Sequence, residues 1–349
     1  MCIVAEPGRI GMTYKVWTAL ALTATLTLAA CDGNPFQNGG GGTSGNPPAG
    51  TSGTTGATAK SAIKRTEVKD TTTGNGYAEG FKYNKDDDTF DVDGLGFDGG
   101  NVYQRGSAVA SLGPFKVYEG DNTFTDPATG TVINQFAHRA IYGVSSSGRT
   151  SFAVVRTGAY LPYGFGGFVY QRAGGVTLPS TGQAAYNGQY AALRDFEGSS
   201  GLEYATGDMT VAIDFNDFND GAAVQGQVYN RAIFDANGND ITGDVISAMN
   251  TELTPTAPLT ELPTLVFAVG PGVLNGGDKS AGEIAGNLNS NYVDANGVQN
   301  FETGKYYALI TNGASVDAGE LVGIVVVEAK DPRHDGVTVR ETGGFILYR

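Results

Sequence analysis

The chain has 349 residues, of which 53 are Gly, 22 Lys or Arg, 36 Asp or Glu, 2 His and 2 Cys, and its net charge is −14. So acidic a chain is repelled by phosphate backbones, which excludes a general nucleic-acid binder, and two Cys with two His leave few ligands for a zinc cluster. Gly at about twice its usual share of ~7% has no collagen period here, so it points to a turn-rich β protein with a linker.

Residues 12–30 pair a positive Lys15 with an apolar run of about 15 residues. That is short of the ~20 needed for a membrane-spanning helix and suits a secretory signal peptide over residues 1–30. The run ends in Leu28-Ala29-Ala30-Cys31, which resembles a bacterial lipobox. The resemblance implies transfer of lipid to the Cys31 thiol, cleavage before Cys31 and acylation of the new amine with palmitate-type chains. Two or three such chains give stable anchoring, since each buried CH₂ contributes about 0.8 kcal/mol. Cleavage also removes Cys2, so the remaining chain has no disulfide and no free Cys nucleophile.

Residues 31–60 are rich in Gly, Ser, Thr, Asn and Pro. They bury too little apolar surface to offset ordering entropy, which predicts a flexible tether. From residue 61 short apolar runs alternate with Gly, Asn and Asp turns. Val211, Ile213 and Phe215 alternate with Thr210, Ala212 and Asp214, the period of a strand with one buried face. One short helix is predicted near 243–251. The sequence Asp-Ala-Asn-Gly occurs at 235–238 and again at 294–297, and is hairpin-turn chemistry. A break at 173–182 divides a β-rich block, 61–178, from a second block, 179–349. The second block yields strands at roughly 185–195, 208–215, 223–234, 264–270, 281–288, 304–311, 320–328 and 343–348, enough to close a barrel.

The run LPSTGQAAYNGQY (178–190), the segment MTVAIDFNDFNDGAAVQGQVYN (209–230), the Gly-x-Val-Val-Val-type strand at 323–327 and the ending RETGGFILYR (340–349) are similar to the β-barrel domain of transferrin-binding protein B and related surface lipoproteins. The lipobox followed by poly-Gly also fits that group. The resemblance covers about half the chain. It implies an all-β fold, with an N-terminal handle-like domain followed by an eight-stranded antiparallel barrel, in a single-lobe relative. It does not imply transferrin binding, and it carries no partner contact over to any residue.

No motif here carries catalysis. Gly94-Leu-Gly96-Phe-Asp-Gly99 matches G-x-G-x-x-G but is followed by a strand-like sequence, not the helix a dinucleotide site needs. There is no G-x-S-x-G elbow. The acidic run at 84–100 lacks EF-hand spacing and reads as an exposed turn region. His334, between Asp331 and Asp335, and the aromatic loop holding Tyr163 and Phe165 are the candidate ligand contacts. No cofactor or metal is expected. The sequence therefore points to a non-enzymatic envelope lipoprotein, held by its lipid at the outer membrane or cell surface. It would bind an extracellular protein or a small ligand such as haem or an iron carrier. The alternatives are a structural lipoprotein without ligand and a transmembrane β-barrel.

Overall fold

The computed structural model describes residues 47–158, 163–217, 223–269, 279–312 and 318–349. Among them, short strands come first: β1 (Thr51–Gly53), β2 (Ile63–Glu67), β3 (Gly80–Asn84), β4 (Thr89–Asp93), β5 (Val102–Arg105), β6 (Ser111–Leu112), β7 (Phe115–Gly120), β8 (Thr123–Thr125), β9 (Val132–Asn134), β10 (His138–Val144), β11 (Thr150–Thr157) and β12 (Gly166–Arg172). Longer strands follow: β13 (Gln183–Glu197), β14 (Glu203–Asp214), β15 (Val224–Phe234), β16 (Leu265–Phe267), β17 (Glu283–Asp294), β18 (Gly297–Thr311), β19 (Glu320–Lys330) and β20 (Thr338–Tyr348). The helix α1 (Thr242–Glu252) lies between β15 and β16 and buries Val245 and Met249, one turn apart, in the barrel core. Among the described residues no helix is long and apolar enough to cross a membrane.

The first strands form one antiparallel sheet in the order β1-β2-β12-β11-β10-β7-β5-β4-β3, with β6 hydrogen-bonded to β7 and β8–β9 standing apart as a ribbon. Every residue of β11 is buried, because both of its faces are covered. Ala153 and Val155 face an aromatic cluster with Phe90, Tyr103, Tyr118 and Tyr142. Phe152, on the opposite face, lies over Gly344 of β20, where a Cβ would stand 2.1 Å from the ring. Only Gly allows that approach of sheet to barrel.

The last eight strands close a barrel in sequence order, with β13 paired to β20 from Asn187↔Tyr348 to Glu197↔Thr338. Met209, Val211 and Ile213 point inward with Tyr186, Val228, Leu265, Phe267 and Tyr306. Outward positions such as Gln183, Asn187, Gln225 and Gln227 are exposed. This apolar-in, polar-out alternation is the reverse of a lipid-spanning barrel and opposes that alternative. The strand positions and the all-β class agree with the sequence reading.

Two expectations change. Residues 47–60, assigned to the tether by composition, join the fold. Thr51 and Gly53 pair with Glu67 and Arg65, and Thr51 and Ala57 are buried. The Tyr307 hydroxyl donates to the Ala49 carbonyl at 3.0 Å, and Val176 N–H donates to Ala59 at 2.7 Å. Those bonds use backbone, so they need no apolar side chains and leave no compositional trace. The second Asp-Ala-Asn-Gly joins β17 to β18 as a hairpin. The first instead turns β15 through a Phe234–Asp240 bridge into α1, with Asp235 Oδ1 accepting from the backbone of Asn237 and Asn239.

Candidate functional site

The barrel interior holds a line of charge. Arg231 donates to Glu302 Oε2 at 2.7 Å and Oε1 at 2.8 Å, and to Glu341 Oε2 at 3.1 Å. Tyr190 and Ser290 hydroxyls donate to Glu341 and Glu302. Arg194 pairs with Glu341 at 3.4 Å and with Glu203 at 2.7 Å. Two bulges aim this cluster. The register of β14 against β15 shifts between Thr206 and Asp208, and that of β17 against β18 shifts between Ser290 and Asn291. Asn230, at φ 51°, and Phe301 are the extra residues, and Arg231 and Glu302 follow them directly. An extra residue resets the alternation and turns the next side chain inward. Burial pushes Arg231 down, but Glu302 and Glu341 outweigh it and raise its pKa. Burial likewise pushes Glu302 up, and Arg231 and Ser290 hold it below its ordinary value.

The line reaches solvent at His334. Arg333 bridges Glu203, at 2.6 Å, and Asp331, at 2.9 Å, and His334 Nδ1 lies 3.2 Å from Asp331 Oδ2. His334 is 59% exposed at its side chain and lines a cleft of about 240 Å³ with Ser199, Ser200, Gly201 and Asp235. Burial raises the Asp331 pKa, but hydrogen bonds from Arg333 prevail and lower it. The Ser199 hydroxyl donates to the Ser200 carbonyl. Among the described residues, no serine hydroxyl is hydrogen-bonded to either imidazole, and no three His, Cys, Asp or Glu side chains gather to hold a metal ion.

The aromatic candidates lie elsewhere and are not presented to solvent. Tyr163 is buried, with the Arg340 guanidinium 4.2 Å from its ring centroid. Phe165 is half-buried between Tyr77, at 5.0 Å, and Phe136, at 6.3 Å. Both rings pack against the protein. Their Gly-rich setting left open a contact loop or a hairpin packing its rings; Tyr163 lies against Arg340 and Phe196 of the barrel, and Phe165 against the aromatic cluster of the sheet. Cys31 lies outside the described residues. The G-x-G-x-x-G stretch is a turn that leads into β5, as its sequence implied.

Sequence reading missed two surface features. Phe97 (63% exposed) is in the 94–101 loop and Val102 opens β5; on the β8–β9 ribbon Phe124 and Ile133 share one face and Val132 (62% exposed) lies on the other. Phe136 N–H donates to Phe97 O at 2.8 Å, Gln135 N–H to Asn122 O at 2.8 Å, and the Phe97 and Phe136 rings lie 5.5 Å apart. Residues 94–104 and 121–134 contain no Lys or Arg, while Asp93, Asp121 and Asp126 flank the patch. The signal was present in Phe-Thr and Val-Ile pairs placed in turn-like sequence. The second feature is a cleft of about 530 Å³ between the 108–113 segment and the outer wall of β13–β15, lined by Gln189, Thr206, Asp208, Asn230, Phe234 and Asn237 among others.

No protein-family model and no curated protein sequence matches the chain. Among solved structures it is similar to a double mutant of the vaccine antigen transferrin-binding protein B from Haemophilus parasuis Hp5. The identity is 14% and the TM-score 0.34, covering 77% of this chain and 44% of that one. It is also similar to intact Ap-TbpB, with N and C lobes, at 14% identity and TM-score 0.31, covering 69% of this chain and 40% of that one. A single mutant of the H. parasuis protein matches at 11% identity and TM-score 0.31, covering 83% and 66%. The chain thus spans less than half the length of the first two.

Proposed function

We propose that this chain is a non-enzymatic binding protein of the cell envelope, tethered by lipid at Cys31, that docks an extracellular protein on the apolar edge around Phe97 and Val132. The observation that carries the reading is five exposed large apolar side chains on two adjoining, hydrogen-bonded segments, 97–102 and 124–133. Such side chains scattered singly need no explanation, but several on adjoining segments point to an interaction site. The acidic flank selects a partner whose apolar contact is ringed by Lys or Arg. A lipid at Cys31 would hold the protein at the cell envelope, and the resemblance to surface lipoproteins favours the outer membrane or cell surface, where such a partner is met.

The test compares wild type with the Phe97→Asp/Val132→Asp double variant, each immobilised and exposed to spent growth medium and to host serum. Both positions are exposed, so the variant keeps its melting temperature. A partner held by wild type and lost by the variant supports the reading. A protein captured equally by both, or by neither, sinks it. In cells, Cys31→Ser should abolish acyl labelling and release the protein from the membrane fraction; retained labelling would overturn the anchor.

A further inference from the structure

The cleft between the 108–113 segment and β13–β15 lies on the outer side of the bulge that turns Arg231 inward. Asn230 occupies the left-handed region there, at φ 51°, and its amide donates to Asp208 Oδ2 at 2.8 Å. Asn tolerates that conformation, and bulges of this kind are over-represented next to functional sites. The Gln189 carboxamide, the Asn237 carboxamide and the Ser111 and Thr206 hydroxyls also line the cleft, and none of them has a hydrogen-bond partner among the described residues. The half-buried Phe234 ring forms part of the wall, and Gly238, at φ 83°, closes against Val109. No Lys, Arg or His lines it.

We propose that this cleft binds a neutral carbohydrate chain. The lining chemistry selects among ligand classes. An anion would meet Asp208 and no cation. A cation would find one carboxylate, already bonded to Asn230. A purely apolar ligand would strip water from two carboxamides and two hydroxyls without replacing their hydrogen bonds, at a cost for each. A sugar replaces that water. Its vicinal hydroxyls both donate and accept, matching the mixed donors and acceptors of Gln189, Asn237, Ser111 and Thr206, and the C–H face of its ring can lie on Phe234. The volume, about 530 Å³, falls within the range of small-ligand pockets. Such a chain could come from a host glycoprotein or from a microbial glucan, and the shared chemistry is the neutral polyhydroxylated ring.

This inference stands apart from protein docking at the β8–β9 corner, and its test separates the two. Saturation-transfer NMR on the full chain would use N-acetyllactosamine for the host-type source, maltotriose and cellotriose for glucans, and sialyllactose as an anionic control. Saturation of at least one neutral sugar is expected, with affinity falling at least tenfold in Gln189→Ala/Thr206→Val and unchanged in Phe97→Asp. Gln189 is exposed and neither side chain has a partner, so the double variant should keep its melting temperature. Should that variant unfold, Gln189→Ala alone gives the reading. The proposal is overturned if no neutral sugar is saturated, if only sialyllactose is, or if binding survives the cleft variants intact.

Discussion

His138 and His334 carry the same side chain in opposite settings. His334 projects into solvent beside Asp331, whereas His138 is fully buried, with Nδ1 3.2 Å from the Phe136 carbonyl and Nε2 without a partner. Burial pushes the His138 pKa down to about 4, only partly opposed by the Phe136 contact. The unfolded chain binds that proton near pH 6.5, so it holds more protons than the fold between pH 6.5 and about 4. The stability this residue supplies is therefore complete above pH 6.5 and is lost as pH falls towards 4. At about 1.4 kcal/mol per unit, the full loss is about 3 kcal/mol. Denaturant titrations at pH 7 and pH 4.5 should show a smaller drop for His138→Phe than for wild type. Equal drops would mean that the imidazole is not held neutral. Sequence marked His334, because acidic neighbours in a turn look functional, and passed over His138, whose burial arises only when β10 pairs with β7 and β11.

At the scale of elements, the strands were legible because one-sided burial imposes a period of two. Val211 and Ile213 announce β14, and Val325 and Val327 announce β19. The same rule hid the ionic line. Arg231 and Glu302 lie on strands β15 and β18, 71 positions apart, and a bulge precedes each. Read as regular alternation, Arg231 points to solvent; with Asn230 inserted, it points inward. The available signal was the charge itself, breaking an apolar stripe in Asn-Arg-Ala-Ile-Phe. Strand β1 was hidden for a different reason, since Thr51–Gly53 contributes backbone pairing to the sheet edge and almost no apolar area. The bulged arrangement predicts a steep penalty when its centre is removed. Arg231→Leu leaves Glu302 and Glu341 facing each other inside the barrel, where an unpaired buried charge costs about 3–5 kcal/mol. A fall in chemical-denaturation stability of that size is expected. A change under about 1 kcal/mol would show that water reaches the two carboxylates.

For the molecule as a whole, the decisive feature is the seam between sheet and barrel. Arg65 of β2 grips Glu283 of β17 with two bonds, at 2.6 and 2.7 Å. Arg156 of β11 joins Asn75, Glu67 and Thr342, and Arg340 of β20 reaches both Asp195 and Asn75. Arg172 of β12 caps the carbonyls of Ala281 and Ile310 at 2.8 and 2.7 Å. All four guanidinium groups are at most 1% exposed. Parting the two halves would hydrate Arg172 and Glu283 but would lose the bonds they make across the seam and expose apolar surface such as Phe152, so neither half should be stable alone. The composition break at 173–182 marks a change of sheet, and the seam that makes the halves interdependent has no sequence signature, because its partners lie up to 265 positions apart. One cooperative unfolding event is therefore expected for the intact chain. Calorimetry should give a single peak whose calorimetric and van't Hoff enthalpies agree, coincident with the loss of tyrosine near-ultraviolet dichroism. Residues 179–349 expressed alone should lack that peak. Two resolved transitions, or a barrel fragment that melts like the parent, would show that the arginine seam does not couple them.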